Sequence, residues 1–449
     1  MIDAPPKPAR WGGPRVAGGV SVLAQGVGNA MLNGSTLVLN FGATLLFSRE
    51  LGADGFGAFA FAYALAMLLS VPAVLGLTPL LVREITAYRL RGSWGRIRGL
   101  FRRANHVVLV ASLGLGAASA AAFAVTGWPH AALHRPALLA LPLVALVAVT
   151  SVRQGVMQGF GRVILGRAPE AVIGPALLLL LAGLAAAVLG SRFTATWAIA
   201  AADAAALVAA FVGVLFLRRT LPAETRALRP EYETRRWARA AAPLILFSVV
   251  QTAGAQLPTV LLGSLGTPHD VGLYNVAFRV SNLLPFLLVA ATPALMPAIA
   301  ELDATRRSDE LQRVTSRSAR LVFAGTLPIA LVALVLTVPL LHVFGPDFGG
   351  GATPLRILAA AQLVNIACGF PGTVLIMVGE AGVMTATFAV TTTLTLALAA
   401  ALIPALGATG AAFAAAAGLV SSNAILAVVL WRRRGIYAPA LLRRAFVRP

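Results

Sequence analysis

The sequence has a single cysteine, Cys368, a single lysine, Lys7, and only 16 acidic residues among 449. A lone thiol in an apolar run offers no intramolecular disulfide and no thiolate cluster, which excludes a stapled scaffold. Charged residues make up 12% of the chain, too few for a water-soluble globule or a disordered chain. Enzyme signatures are missing as well: there is no P-loop, no G-x-S-x-G and no metal-ligand cluster. His130 and His134 stand in HAALH, at the spacing of a zinc pair but without the acid of H-E-x-x-H. Beside Pro129 and Pro136 they read as a solvated outer loop. No catalytic residue, metal or cofactor is expected, leaving H+, Na+ or the membrane potential as the source of energy.

What is present is apolar: 58% of the residues, with a mean hydropathy of +0.84. At about 20 residues per crossing, the runs predict twelve spans, at 20–47, 56–81, 107–126, 137–157, 169–190, 194–217, 240–263, 271–298, 321–344, 355–378, 383–403 and 409–431. The hinges near 191–193 and 404–408 are short enough to read as uninterrupted helix. The stretch MIDAPPKPARWGGPR ahead of the first span is not a cleavable leader, because the span is too long for a signal h-region.

The formal charge of +20 comes from 36 basic residues. Thirty-one fall on one side of the predicted spans, in the amino-terminal tail, the connections 82–106, 153–167, 218–239 and 306–320, and the carboxy-terminal tail. Arg49, Arg135, Arg192 and Arg356 fall on the other, and Arg279 lies inside a span. The positive-inside rule assigns the rich side, with both termini, to the cytoplasm. The basic excess is thus a topology signal with anionic membrane lipids as its partners, not a nucleic-acid site.

The halves match at an offset of 214: Leu51-Gly52 with Leu265-Gly266, Thr78-Pro79 with Thr292-Pro293, Arg103 with Arg317, Gly155 with Gly369. Six spans return the chain to its starting side, so the halves share one orientation. The expected fold class is an all-α polytopic membrane protein of 12 transmembrane helices in two pseudo-symmetric six-helix lobes. Its divisions are a tail at 1–19, an N-lobe at 20–217, a basic linker at 218–239, a C-lobe at 240–431 and a basic tail at 432–449. Two such lobes facing a central cavity are a transporter architecture that works by alternating access. Prolines within spans, among them Pro72, Pro142, Pro175, Pro285 and Pro328, supply bends.

Polar residues inside hydrocarbon need partners and so mark a path. Asn29, Asn33, Thr36 and Asn40 fall on one face of the first span, and Asn275, Arg279 and Asn282 on one face of the eighth. Arg279 costs at least ~2.5 kcal/mol to insert and lies ~12 Å from the outer end of its span. It serves as a phosphate ligand, pairs with Asp203, or snorkels. Asp203, the acid deep in the sixth span, is either an ion-coupling site or the partner of Arg279. Gln251 and Gln256, with Gln154 and Gln158, line the cavity or bond between helices. Glu170 and Arg153 read as solvated helix ends.

Three segments carry a family resemblance. LGADGFGAFAFAYALAMLLSVPAVLGLTPLLVREI (51–85) resembles the second-helix signature of bacterial polysaccharide-export flippases, IPALGATGAAFAAAAGLVSS (403–422) is similar to their penultimate hinge, and SVRQGVMQGFGR (151–162) resembles the end of their fourth helix. The resemblance implies a multidrug-and-toxin-extruder-like fold and movement of an undecaprenyl-pyrophosphate-linked oligosaccharide across the bacterial plasma membrane for surface polysaccharide synthesis. A polysaccharide polymerase and chain-length proteins are the further partners it implies. In the related lipid II flippases, cavity arginines lie on the first and eighth helices; Arg279 matches the eighth, whereas asparagines occupy the first. Those relatives have fourteen spans, and the extruders carry a first-helix acid that is missing here. A cation-coupled multidrug antiporter or a lipid II flippase is the alternative. A membrane glycosyltransferase or polymerase would need a large outer loop, and the longest predicted outer connection is about ten residues.

Overall fold

The structure is a computed structural model that describes residues 20–74, 76–222, 224–225 and 228–436. The tail 1–19, most of the carboxy-terminal tail and Arg226 of the linker lie outside the described residues. Among the described residues the regular structure is helical throughout. The first half comprises α1 (Val20–Val74), α2 (Leu77–Leu90), α3 (Trp94–Thr126), α4 (Ala131–Leu139), α5 (Leu141–Gly159), α6 (Val163–Ala168), α7 (Gly174–Leu189) and α8 (Ala195–Thr220). The second comprises α9 (Thr234–Leu265), α10 (Pro268–Ser281), α11 (Phe286–Ala304), α12 (Ser308–Val335), α13 (Thr337–His342), α14 (Ala352–Cys368), α15 (Pro371–Met377) and α16 (Ala381–Arg434). HAALH forms the start of α4 rather than a loop, and His134 stands edge-on to Phe123, with ring centroids 6.2 Å apart.

Eight helical segments are long and apolar enough to cross a membrane, or nine if α10 and the start of α11 form one bent span. Two of the eight are double. Gly52 (φ 65°) breaks α1 and Gly407 (φ 52°) breaks α16, in a backbone region open to glycine and costly to L side chains. The twelve spans expected from the sequence therefore depend on counting both broken helices twice, and the bent α10–α11 pair and α9 once each. The turn at Gly190 (φ 52°, ψ −124°) has almost the same backbone as Gly407 (ψ −129°), so the same corner joins the last two spans of each half.

Leu109, Val110, Leu180, Leu184, Phe211, Leu331, Val332 and Val390 are exposed, the reverse of a soluble protein and the apolar surface a bilayer would cover. Pro142 occupies a first-turn position, where the missing N–H has no helical acceptor to lose, whereas Pro175 lies in a continuous helical run and leaves the Ala171 carbonyl four residues earlier to accept from Thr36 Oγ1. Pro285 follows a 49° bend between α10 and α11, and this break positions the site described below.

The lobes close on each other at the end opposite the basic loops. A Cβ at Gly57 would lie 1.8 Å from the Pro268 carbonyl oxygen, and one at Gly272 would lie 2.1 Å from that of Ala53, so two backbones meet where no side chain fits. Arg49 Nε donates to the Val343 carbonyl at 2.8 Å, and Phe56 packs edge-on against Phe348. At the basic end the linker is tied to the N-lobe: Trp237 Nε1 donates to Tyr88 Oη at 3.0 Å, Tyr88 Oη donates to Glu233 at 3.0 Å, and Arg236 pairs with Glu233 at 2.9 Å.

Candidate functional site

Between the lobes lies a cavity of about 270 Å3. The N-lobe contributes Asn40, Phe41, Thr44 and Tyr63 of α1; the C-lobe contributes Gln256 and Thr259 of α9 and Asn275, Phe278, Arg279 and Asn282 of α10 and its end. Arg279 sits in the last turn of α10, where the free carbonyls of the helix end favour a cation. Because α10 begins at Pro268, three residues before the predicted span, Arg279 lies ~16 Å along the helix.

Arg279 Nη1 donates to Thr44 Oγ1 at 2.7 Å, and Thr44 Oγ1 donates in turn to the Asn40 carbonyl at 2.8 Å. The bond crosses from one lobe to the other. Among the described residues no carboxylate pairs with Arg279, so the expected alternative of an ion pair with Asp203 is not formed. The remaining guanidinium donors suit a planar or tetrahedral oxyanion. Asn275 is turned back on its own helix, Nδ2 donating to the Val271 carbonyl at 2.9 Å. Asn282 is fixed from the far side: its Oδ1 accepts from Gln362 Nε2 at 2.9 Å.

Five of the eight substrate candidates thus meet here: Arg279, Asn275, Asn282, Asn40 and Gln256. Asn29 and Asn33 do not. Both accept bonds from Arg167, and Thr36 bonds the Ala171 carbonyl, so this end of the stripe holds α1 against α6 and the turn after it. The side chain of Gln251 lies outside the described residues. Thr44 and Tyr63 carry no sequence signal of their own; only their spacing from Asn40 and their position opposite the eighth span bring them in.

A second cavity of about 240 Å3 lies inside the N-lobe and meets the first at Asn40 and Tyr63. Glu170 and Gln154 line it. Arg153 is 2% exposed and is bound to both carboxylate oxygens of Glu170, and Gln154 Nε2 donates to the same carboxylate at 3.1 Å. Arg153 is therefore a buried cation paired with a half-buried Glu170, and the two are not solvated ends. Pro169, which has no N–H to donate, starts the π turn Pro169–Ile173 that carries Glu170. Asp203 of α8 is half-buried, its chain neighbour Ala202 lines this cavity, and its Oδ1 has no partner among the described residues.

Residues 23–303 match the family described as polysaccharide biosynthesis protein. The chain belongs to this family. A 110-residue segment is 24% identical to the probable flippase AglR of Haloferax volcanii, covering 24% of this chain and 23% of that protein, so the match spans about a quarter of the relative's length. Among solved structures, an inward-facing multidrug resistance MATE family transporter of the MOP superfamily superposes with a TM-score of 0.72 at 16% identity, over 91% of this chain and 98% of that one. The MATE multidrug transporter DinF-BH gives 0.66 at 16% identity, over 97% and 100%. At such identities the likeness is one of fold, and this member of the polysaccharide biosynthesis family has the two-lobed MATE fold. No group of three metal-ligating side chains occurs among its described residues.

Proposed function

We propose that this chain is a flippase that moves an oligosaccharide on an undecaprenyl-pyrophosphate carrier across the bacterial plasma membrane, from the basic, cytoplasmic end to the far side, where a polymerase and chain-length proteins take it over. The observation that carries the reading is Arg279: a guanidinium in a cavity between the lobes, held by a hydroxyl and without a counter-charge among the described residues. A pyrophosphate supplies that charge. It also competes with Thr44 for the same donors, so loading would weaken a bond that ties the lobes together, and the closed contacts at Gly57 and Gly272 are the ones that must part on the far side. The lipid tail stays in the bilayer while the head crosses.

In this reading Asp203, whose Oδ1 is unpartnered among the described residues, binds the coupling ion. The same residue favours a second reading, a cation-coupled multidrug antiporter on the same fold. Reconstituted vesicles separate the two. Wild-type protein should expose a fluorescent lipid-linked oligosaccharide to an external quencher, Arg279→Ala should slow this at least ~10-fold, and Asp203→Asn should remove its dependence on an imposed ion gradient. Undiminished flipping by Arg279→Ala at normal protein abundance overturns the phosphate role. Dye efflux that depends on Asp203, with no movement of the lipid, selects the antiporter.

A further inference from the structure

A third cavity, of about 240 Å3, lies inside the C-lobe and joins the central one at Phe278 and Asn282. We propose that it is the subsite for the sugar of the lipid-linked oligosaccharide, binding neutral hydroxyl groups next to the phosphate held at Arg279. This rests on the reading above and adds a location and a chemistry to it.

The cavity is the C-lobe counterpart of the N-lobe one. The first is built from α1, α5, α7 and α8, and the second from α9, α10, α14 and both halves of α16, which are the equivalent helices in chain order. Its lining has no carboxylate and no cation, so it holds neither a phosphate nor a coupling ion. It offers instead a set of neutral donors and acceptors. Thr391 and Thr395, one turn apart, each donate to a carbonyl of their own helix at 2.9 Å, which leaves their oxygens as acceptors. Thr392 and Ser422 have no hydrogen-bond partner among the described residues, and their hydroxyls both donate and accept. Asn282, whose carbonyl is occupied by Gln362, presents its amide protons at the junction.

Threonines on buried helix faces commonly satisfy themselves, and Thr391 and Thr395 do so. Space is what distinguishes Thr392. Opposite it stands Gly254, where a Cβ would come within 3.2 Å of Thr392 Oγ1. At the 214 offset these two positions correspond to Leu178 and Asn40 of the N-lobe, so the polar group has changed sides and the facing residue has shrunk. Phe278 and Phe388 face this space, and the buried Tyr274 backs Phe278, the two rings stacked with centroids 5.8 Å apart at 20°. Aromatic faces with neutral hydrogen-bonding groups around them suit a pyranose, which has apolar C–H faces and a polar rim. Asn282 follows Arg279 by one turn, ~4.5 Å along the axis, so a sugar bonded directly to a phosphate at Arg279 reaches the opening.

The test compares binding of undecaprenyl pyrophosphate, bare and bearing one of a panel of neutral hexose disaccharides, to the full chain in nanodiscs. Wild type should bind at least one glycosylated carrier more tightly than the bare one. Thr392→Val with Ser422→Ala should keep the affinity for the bare carrier and lose ~3- to 10-fold per hydrogen bond for the glycosylated one, whereas Thr392→Ser should retain it. Gly254→Ala, which narrows the cavity without removing a hydroxyl, should lose the same increment and serves if the double variant fails to fold. A wild-type increment that survives in all three variants, or none for any disaccharide, overturns the subsite while bare-carrier binding upholds the flippase reading. Binding of neither carrier defeats the flippase reading itself.

Discussion

The interior cavity of the N-lobe and that of the C-lobe are lined by equivalent helices and differ in what fills them. In the N-lobe, the buried Arg153 and half-buried Glu170 neutralise each other, with Gln154 on the same carboxylate, and Asp203 Oδ1 on α8 has no partner among the described residues. In the C-lobe the lining is threonine, serine, amide and ring. The duplicated fold thus carries charged groups at the interior cavity of one lobe and a neutral lining in the other, with Arg279 between the lobes.

The largest effect should come from removing half of the N-lobe pair. Glu170→Gln leaves Arg153 buried and unmatched and should cost ~3–5 kcal/mol, seen as a lowered thermal midpoint in detergent. Replacing both members by methionine should come within about 1 kcal/mol of wild type or exceed it, since the desolvation of both charges is then avoided. If the double variant is as unstable as the single one, the pair is not self-contained and the contrast between the lobes fails. Next is Gly418→Ala in the C-lobe, where the new Cβ would lie 1.9 Å from Thr395 Oγ1; overpacking of this kind costs ~1–3 kcal/mol and should also shrink the cavity.

A smaller difference separates the two corners. Gly190 and Gly407 share a backbone shape, but only the C-lobe corner is held by a carboxylate described in the structure: Asp270 completes a capping box with Thr267 and accepts from the Ala408 N–H at 3.1 Å. Asp270→Ala should lower stability by about 1 kcal/mol and speed amide exchange around Gly407 with little change around Gly190. The smallest expected effect is at the linker. Burial alone would raise the Glu233 carboxyl, but the Tyr88 hydroxyl and the Arg96 and Arg236 guanidinium groups outweigh it and hold it below its ordinary range. With its folded value depressed, this tie is present at neutral pH and is lost as the pH falls through that lower value. Trp237 emission, obtained by difference against Trp237→Phe, should shift only on acidification below the usual glutamate range.

Much of this was legible in the chain. The apolar runs located the helices, the offset of 214 paired the halves, and Arg279 with Asn40, Asn275, Asn282 and Gln256 marked the cavity. The stripe on the first span was half misleading: Asn29 and Asn40 share a face but stand ~16 Å apart along the helix, far enough to meet different neighbours, Arg167 at one end and the cavity at the other. The charges of Arg153 and Glu170 suggested solvent because each lies near a helix end; only the packing of α5 against the turn after α6 buries Arg153 and brings Glu170 onto it. The threonines of TTTLT carry no signal of their own in the sequence, and their cavity emerges only when five helices are placed around it.

Hydropathy, charge asymmetry and the internal repeat are sums over local sequence. They determined without tertiary information that the chain crosses a membrane many times, which end is basic, and that two similar lobes face each other. Which polar side chains meet depends on helix rotation, on the bend after Asn282 and on the approach of Gly57 to Pro268. Those are set by packing between segments distant in the chain, and so the tertiary structure alone decided that Arg279 meets Thr44 rather than Asp203.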